Sequence, residues 1–244
     1  MKNFLVIDTE TLGTKPDSVI LSLGAYFVDV EKDIPSFDKI VEDGFYMKFD
    51  AKEQIDDGRT VDKATLEWWE KEGDVAKDVL AASDNDVSYT RLFEGLNNYL
   101  KGKTDYWIFA RSPSFDFTVL DNIRNYNNIE SLWPFYHEKD IRTFLDTMLM
   151  VLPFEEQWNK FNLPKELWPS DGVITSHHAL YDVATDIKRM EVVLELYAKL
   201  KIMNNPRTYT IEEIAEEIGS TTQTVKNIEK RAINKIKPDL TEFN

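Results

Sequence analysis

The sequence predicts an α/β domain built on a mixed sheet, three antiparallel strands followed by parallel ones, with helices against its faces and a small all-α appendage behind it. Three observations carry that expectation. Apolar runs at 4–7, 19–30 and 45–49 are joined by linkers dense in Gly, Pro, Asp and Ser with no helical stretch between them, which implies antiparallel pairing. From residue 61 onward helical spacing dominates and alternates with a short apolar strand at 106–110. After Asn204-Asn205-Pro206 the pattern breaks, and the chain resumes as two short amphipathic segments around Gly219.

Taken in order, Phe4 to Ile7 reads as a buried strand, Val19 to Val30 as a longer one and Phe45 to Phe49 as the third. Gly13 to Ser18 and Glu31 to Asp43 read as loops. Val61 to Glu72 is helical, with Leu66 and Trp68-Trp69 on one side of a charged segment, and Ser88 to Leu100 repeats the spacing through Leu92, Phe93, Leu96 and Leu100. Phe115 to Tyr126, Ile141 to Val151 and Ala179 to Leu200 read as helices, the last the longest. The break divides the chain into expected domains 1–204 and 206–244.

A chain of 244 residues, 42% apolar and 30% charged, can bury one substantial core, and disordered and fibrous classes drop out. Cysteine is absent, which excludes disulfide frameworks, thiol catalysis and cysteine-zinc sites. A metal would then be held mainly by oxygen, with His137, His177 and His178 as the imidazoles on offer, and such a site suits Mg²⁺ or Mn²⁺ better than zinc. Met1 to Glu10 lacks the apolar length of a signal peptide, and no window approaches the roughly 18 apolar residues of a membrane span. A cytoplasmic enzyme without a membrane partner is expected. The formal net charge of -15 is the opposite of a basic nucleic-acid footprint. Either it is a solvated surface, or part of the excess sits in a cluster that bound cations neutralise and that then attracts phosphate.

Acidic residues at three places, with one histidine, suggest such a cluster. Asp8 and Glu10 close the first strand, and alternation turns both to one face with Thr9 turned away. Asp116 stands where a helix starts, just after the strand that ends at Ala110, a position where a carboxylate also complements the helix dipole. His177 and Asp182 share a site only if His177 lies in a loop and the helix begins near Ala179, with Thr175 or Ser176 as its cap. Asp182 and Asp186 share a helix face, and His178 reads as an ordinary polar surface group. Singly, each of these residues has a plain reading as a turn, a cap or a surface group. Their joint occurrence in this order describes a site for two metal ions.

At these residues the chain resembles the DEDDh group of 3′→5′ exonucleases, which have a ribonuclease-H-like fold. Asp8-Thr9-Glu10-Thr11 matches the first motif of that group, Asp116 the second, and His177-His178-Ala179-Leu180-Tyr181-Asp182 the third. Thr65-Leu66-Glu67-Trp68-Trp69, Ser114-Phe115-Asp116-Phe117 and Asp140-Ile141-Arg142-Thr143 resemble the branch that holds the exonuclease A of T-even phages and related small bacterial exoribonucleases. The resemblance covers about residues 1–200.

The resemblance implies a metal-dependent exonuclease that releases nucleoside 5′-monophosphates, with single-stranded DNA as the expected substrate. RNA 3′ ends are the alternative, because the choice rests on how the pocket treats the 2′-hydroxyl. It implies two divalent ions, roughly 3.5–4 Å apart, that relieve charge on the phosphoryl oxygens and support both attack and departure. Asp8, Glu10 and Asp182 would bind the first, Asp8 would bridge to the second, and Asp116 would hold the second largely through water. His177 is then the general base, a role suited to an imidazole with an ordinary pKa near 6.5. Thr11 and Leu12 are expected at the terminal nucleotide, and Phe115 offers a stacking face worth roughly 1–3 kcal/mol per base. Core packing is the competing reading for Leu12 and Phe115. Arg142 positions a phosphate or pairs with a carboxylate.

Thr210 to Lys237 reads as two helices around a tight turn, with Ala215, Gly219 and Val225 at helix-turn-helix spacing, and resembles the fourth region of bacterial sigma factors. Ser220 or Thr221 is the expected cap of the second helix. The first helix carries Glu212, Glu213, Glu216 and Glu217; the second carries Lys226, Lys230 and Arg231, with Lys235 and Lys237 beyond. If it reads DNA, Thr222, Gln223 and Lys226 face the groove. A module that docks on protein, RNA polymerase among the partners implied, and a hairpin packed on the exonuclease are the other expectations. A DNA-bound or polymerase-bound accessory protein acting through this tail is the reading of a different class.

Overall fold

Strand β1 (Asn3–Thr11) is apolar on both faces because it lies in the middle of the sheet. Its even residues Phe4 and Val6 pack with Leu180, Val183 and Ile187, and its odd residues Leu5 and Ile7 pack with Leu92, Leu96, Phe117 and Leu120. The computed structural model describes residues 3–150, 163–173, 176–204 and 210–240. After β1 come β2 (Ile20–Val28), α1 (Phe37–Asp43), β3 (Phe45–Lys48), α2 (Ala51–Asp56), α3 (Lys63–Trp69), α4 (Asp74–Leu80) and α5 (Leu92–Leu100). The second half holds β4 (Tyr106–Ala110), α6 (Pro113–Tyr126), β5 (Glu138–Asp140), α7 (Ile141–Met150), α8 (Ala179–Asn204), α9 (Ile211–Glu217) and α10 (Thr222–Leu240).

The five strands lie in the order β3-β2-β1-β4-β5, antiparallel from β3 to β1 and parallel from β1 to β5. This is the expected mixed sheet. The loop expected at 31–43 is corrected, since it contains α1: the Ser36 hydroxyl accepts from Lys39 N–H, and Phe37 and Ile40 are buried. Seven residues with two buried side chains carry too little periodicity to stand out from turn-rich text. Strand β5 was also missed. It has three residues, Glu-Lys-Asp, and none is apolar.

Gly24 sets the distance between the sheet and α8. A Cβ there would lie 2.5 Å from the carbonyl carbon of Ala179 and from the backbone nitrogen of Leu180, so only glycine lets the first turn of α8 rest on β2. Gly24 pairs in register with Asp8. The start of α8 is thereby set beside the strand that carries the first motif.

The appendage is two helices around Gly219, whose φ of +62° supplies the left-handed turn. Thr210 and Glu213 form a reciprocal capping box on α9. Thr221, rather than Ser220, accepts from Thr224 N–H at the start of α10. Ala215 and Val225 are buried between the helices, and the unit also touches the larger domain: Asn227 donates to the Glu31 carbonyl, and Arg231 reaches Asp33 at 3.5 Å and Glu191 at 3.7 Å. Residues 205–209, where the sequence breaks, lie outside the described residues. Among the described residues no helix is long and apolar enough to cross a membrane.

Candidate active site

The site forms where β1 ends. A register irregularity between Glu10 and Thr11 interrupts the pairing with β2, as bulges beside functional sites commonly do. Alternation continues the pattern of Phe4 and Val6, which puts Asp8 and Glu10 on the α8 face and Thr9 on the α6 face. Thr9 is turned from the other two, as expected, yet it serves the cluster. Its backbone N–H and its hydroxyl both donate to Asp116 Oδ1, at 3.0 and 2.7 Å. Asp116, in the first turn of α6 and buried, is thereby fixed through one oxygen, while no hydrogen bond to Oδ2 is found among the described residues.

His177 lies outside α8, as the spacing requires, in a left-handed conformation with φ of +63°. Its backbone N–H donates to Asp182 Oδ2 at 2.8 Å. The first helical hydrogen bond runs from Asp182 N–H to the His178 carbonyl, so His178 rather than Ser176 occupies the cap position; Thr175 lies outside the described residues. The imidazole meets Trp68 edge to face with centroids 4.6 Å apart and lies 6.2 Å from Trp69, and its Nε2 is 3.6 Å from Glu72 Oε2. Trp69 Nε1 donates to the Thr11 carbonyl at 3.0 Å, which ties α3 to the end of β1. His178 is not an ordinary surface group. It stacks on Tyr46 at 4.5 Å, and burial lowers its pKa.

Glu10, His177 and Asp182 each place a ligand-type atom within 4.8 Å of the others. Asp8 and Asp116 complete the cluster electrostatically. Burial, then Glu10, Asp182 and Asp116, hold Asp8 well above the usual carboxylate range. Burial, then Asp182 and Asp116, push Glu10 up to about 9. Burial first also raises Asp116 to about 6, against the Thr9 hydrogen bonds that lower it. Asp182 rises to about 6 through burial and Asp186, opposed by His177 and Arg111. Carboxylates that repel one another in a desolvated site favour a bound cation, and an oxygen-rich donor set with one imidazole fits a hard divalent ion.

The remaining expected contacts divide. Thr11 is buried, and its hydroxyl donates to the Gly13 carbonyl at 2.6 Å. Leu12 packs with Val19, Leu21, Trp69 and Val79, in keeping with its core reading. Phe115 is half-buried at the start of α6. Arg142 is exposed on α7 behind the capping carboxylate of Asp140, and among the described residues no contact joins it to the cluster. Thr222, Gln223 and Lys226 are exposed on α10, in the appendage. A cavity of about 520 Å³ between β3 and α4, lined by Tyr46, Lys48, Asp78 and His178, lies beside the cluster rather than over it. Sequence reasoning missed Glu72 and the pairing of Arg111 with Asp186. It also missed Gly24, for which a glycine inside a strand was the available signal.

Residues 3–194 match the family described as the 3′-5′ exoribonuclease Rv2179c-like domain, and residues 191–237 match region 4 of sigma-70. The exodeoxyribonuclease of enterobacteria phage T4 is 30% identical over 207 residues, which cover 78% of this chain and 88% of that protein. Exonuclease I of E. coli in complex with a dT13 oligonucleotide has a similar fold, with a TM-score of 0.50 and 18% identity over 84% of this chain. The match takes in 43% of that structure, so the chain spans less than half its length. A profile match through most of the chain and a relative aligned over nearly its full length agree with the carboxylates gathered at the end of β1: the chain belongs to the Rv2179c-like 3′-5′ exoribonuclease domain family.

Proposed function

We propose that the protein is a 3′→5′ exonuclease that removes nucleoside 5′-monophosphates from single-stranded DNA, and that Asp8, Glu10, Asp116, His177 and Asp182 form its active site. The observation that carries this reading is the meeting of Glu10, His177 and Asp182 within 4.8 Å, beside Asp8 and Asp116, from segments far apart in sequence. Two divalent ions, Mg²⁺ or Mn²⁺, held by the four carboxylates would supply Lewis acidity and neutralise charge on the phosphate. Thr9 orients Asp116, and the His177 N–H orients Asp182. The His177 imidazole, braced by Trp68 and facing Glu72, accepts the proton of the attacking water. The half-buried Phe115 offers the terminal base an aromatic surface.

The name of the T4 relative favours DNA, whereas the description of the family favours RNA trimming as the second reading. The division into 1–204 and 206–244 belongs to the same proposal, with Thr222, Gln223 and Lys226 exposed on α10 as the groove-facing residues of the appendage. The test uses matched labelled DNA and RNA oligonucleotides with Mg²⁺ or Mn²⁺, comparing the intact chain with Asp8→Asn. Stepwise loss of 3′ mononucleotides, slowed at least about a thousandfold in the variant, is expected. Digestion that survives Asp8→Asn removes the mechanism, and faster digestion of RNA than of DNA reverses the substrate order.

A further inference from the structure

We propose that Arg111 is a substrate contact, with its guanidinium held in place by Asp186 so that it binds the phosphate of the terminal internucleotide linkage as that linkage enters the carboxylate cluster. The inference rests on the exonuclease reading and adds to it a residue outside the three motifs.

Position is the first argument. Arg111 directly follows β4, and β4 runs parallel to β1 with Phe109 paired to Val6, so two residues further on Arg111 comes level with Asp8. Its positive charge is felt at both Asp8 and Asp182. The second argument is how its donors are used. Nε lies 3.1 Å from Asp186 Oδ2, and Nη2 also donates to Asp186, while no hydrogen bond from Nη1 is found among the described residues. A guanidinium carries donors in a fixed fork, and one edge of this fork remains for an anion.

The third argument is redundancy. Arg189 Nη1 donates to Asp186 Oδ1 at 2.8 Å, so the buried carboxylate already has a cationic partner on its own helix. Asp186 is 3% exposed, whereas the Arg111 side chain keeps 24% of its surface. Asp186 thus keeps a cationic partner without Arg111, and Arg111 keeps a side open to solvent. Charge gives the same answer. Two divalent ions would cancel the four motif carboxylates, and a guanidinium beside them would meet a phosphodiester in a chain that is otherwise strongly anionic.

The test is a double-mutant cycle on the intact protein, read as binding of a short fluorescent DNA strand by anisotropy with Ca²⁺ in place of Mg²⁺. The strand ends in either an ordinary phosphodiester or a neutral methylphosphonate at the terminal linkage. Arg111→Met is expected to weaken binding of the ordinary strand on the order of tenfold or more, and the methylphosphonate is expected to weaken wild-type binding similarly. In the variant the methylphosphonate should cost clearly less than it costs the wild type, because only the ions' share of that phosphate remains to be lost, and turnover with Mg²⁺ should show KM raised more than kcat is lowered. Arg111→Lys, which keeps the charge and loses the fork, should recover part of the affinity and serves if the methionine variant does not fold. Losses that simply multiply, in whichever variant is folded, overturn the proposal. A wild-type protein that neither binds nor trims the ordinary strand overturns the exonuclease reading instead.

Discussion

Asp116 and Asp182 each use one carboxylate oxygen to accept from the protein, from Thr9 in one case and from the His177 backbone in the other, so the fold orients both side chains without an ion. The energetic consequence is a metal-free site under strain at neutral pH. Glu10 at about 9 and Asp116 and Asp182 at about 6 all lie above their ordinary values near 4, as Asp8 does. From about pH 4 upward the folded chain therefore binds more protons than the unfolded chain, and stability falls as pH rises through the folded values. In EDTA the melting temperature is expected to drop between pH 5 and pH 8, on the order of 5 °C. Mg²⁺ should restore it at pH 8, and Glu10→Gln should flatten the profile; calorimetry showing no slope in EDTA would contradict the assignment. The motif residues were legible in the sequence because each sits in a local pattern that names its element. The Thr9 to Asp116 bond joins residues 107 apart and the Arg111 to Asp186 pair residues 75 apart, and no local pattern records such pairings.

At the scale of elements, the approach of α8 to β2 decides whether Asp182 reaches Asp8 at all. Gly24→Ala sets a methyl group against the backbone of Ala179 and Leu180, which must shift because backbone there cannot turn aside. We expect about 1–3 kcal/mol of destabilisation in denaturant melts. Activity should fall on the order of tenfold or more through displacement of Asp182, whereas a variant that keeps full activity would show the contact to be slack. The long elements were readable: β1, β2, β4, α6 and α8 appear where apolar runs or helical spacing place them. Of the short ones, β3 and α3 were readable too, whereas α1, α2, α4 and β5 were not. Helix α2 depends on an Asp50 cap and the buried Gln54, whose side chain bonds both the N–H and the carbonyl of Ile20, an arrangement with no apolar signature.

At the scale of the whole molecule, the turn from antiparallel to parallel pairing follows from the sequence, but the edge position of the unforeseen β5 and the seat of the appendage do not, the latter because the larger domain contributes its half of the contact. Lys188 and Glu191 form a buried pair on α8 at 2.8 Å, and Arg231 of α10 adds to Glu191 while also meeting Asp33. Arg231→Ala leaves Glu191 with Lys188, so the main fold should melt nearly as before, while amide hydrogen exchange in α9 and α10 speeds up on the order of tenfold. Unchanged exchange would mean that other contacts hold the appendage. Helix α8 thus begins with Asp182 and Asp186 and carries Glu191 nine residues past Asp182, about 13 Å along its axis at the usual helical rise. Because one continuous rod bears both ends, α8 would act as a ruler, keeping whatever rests on the outer side of α10 at a constant offset from a strand end seated at Asp182.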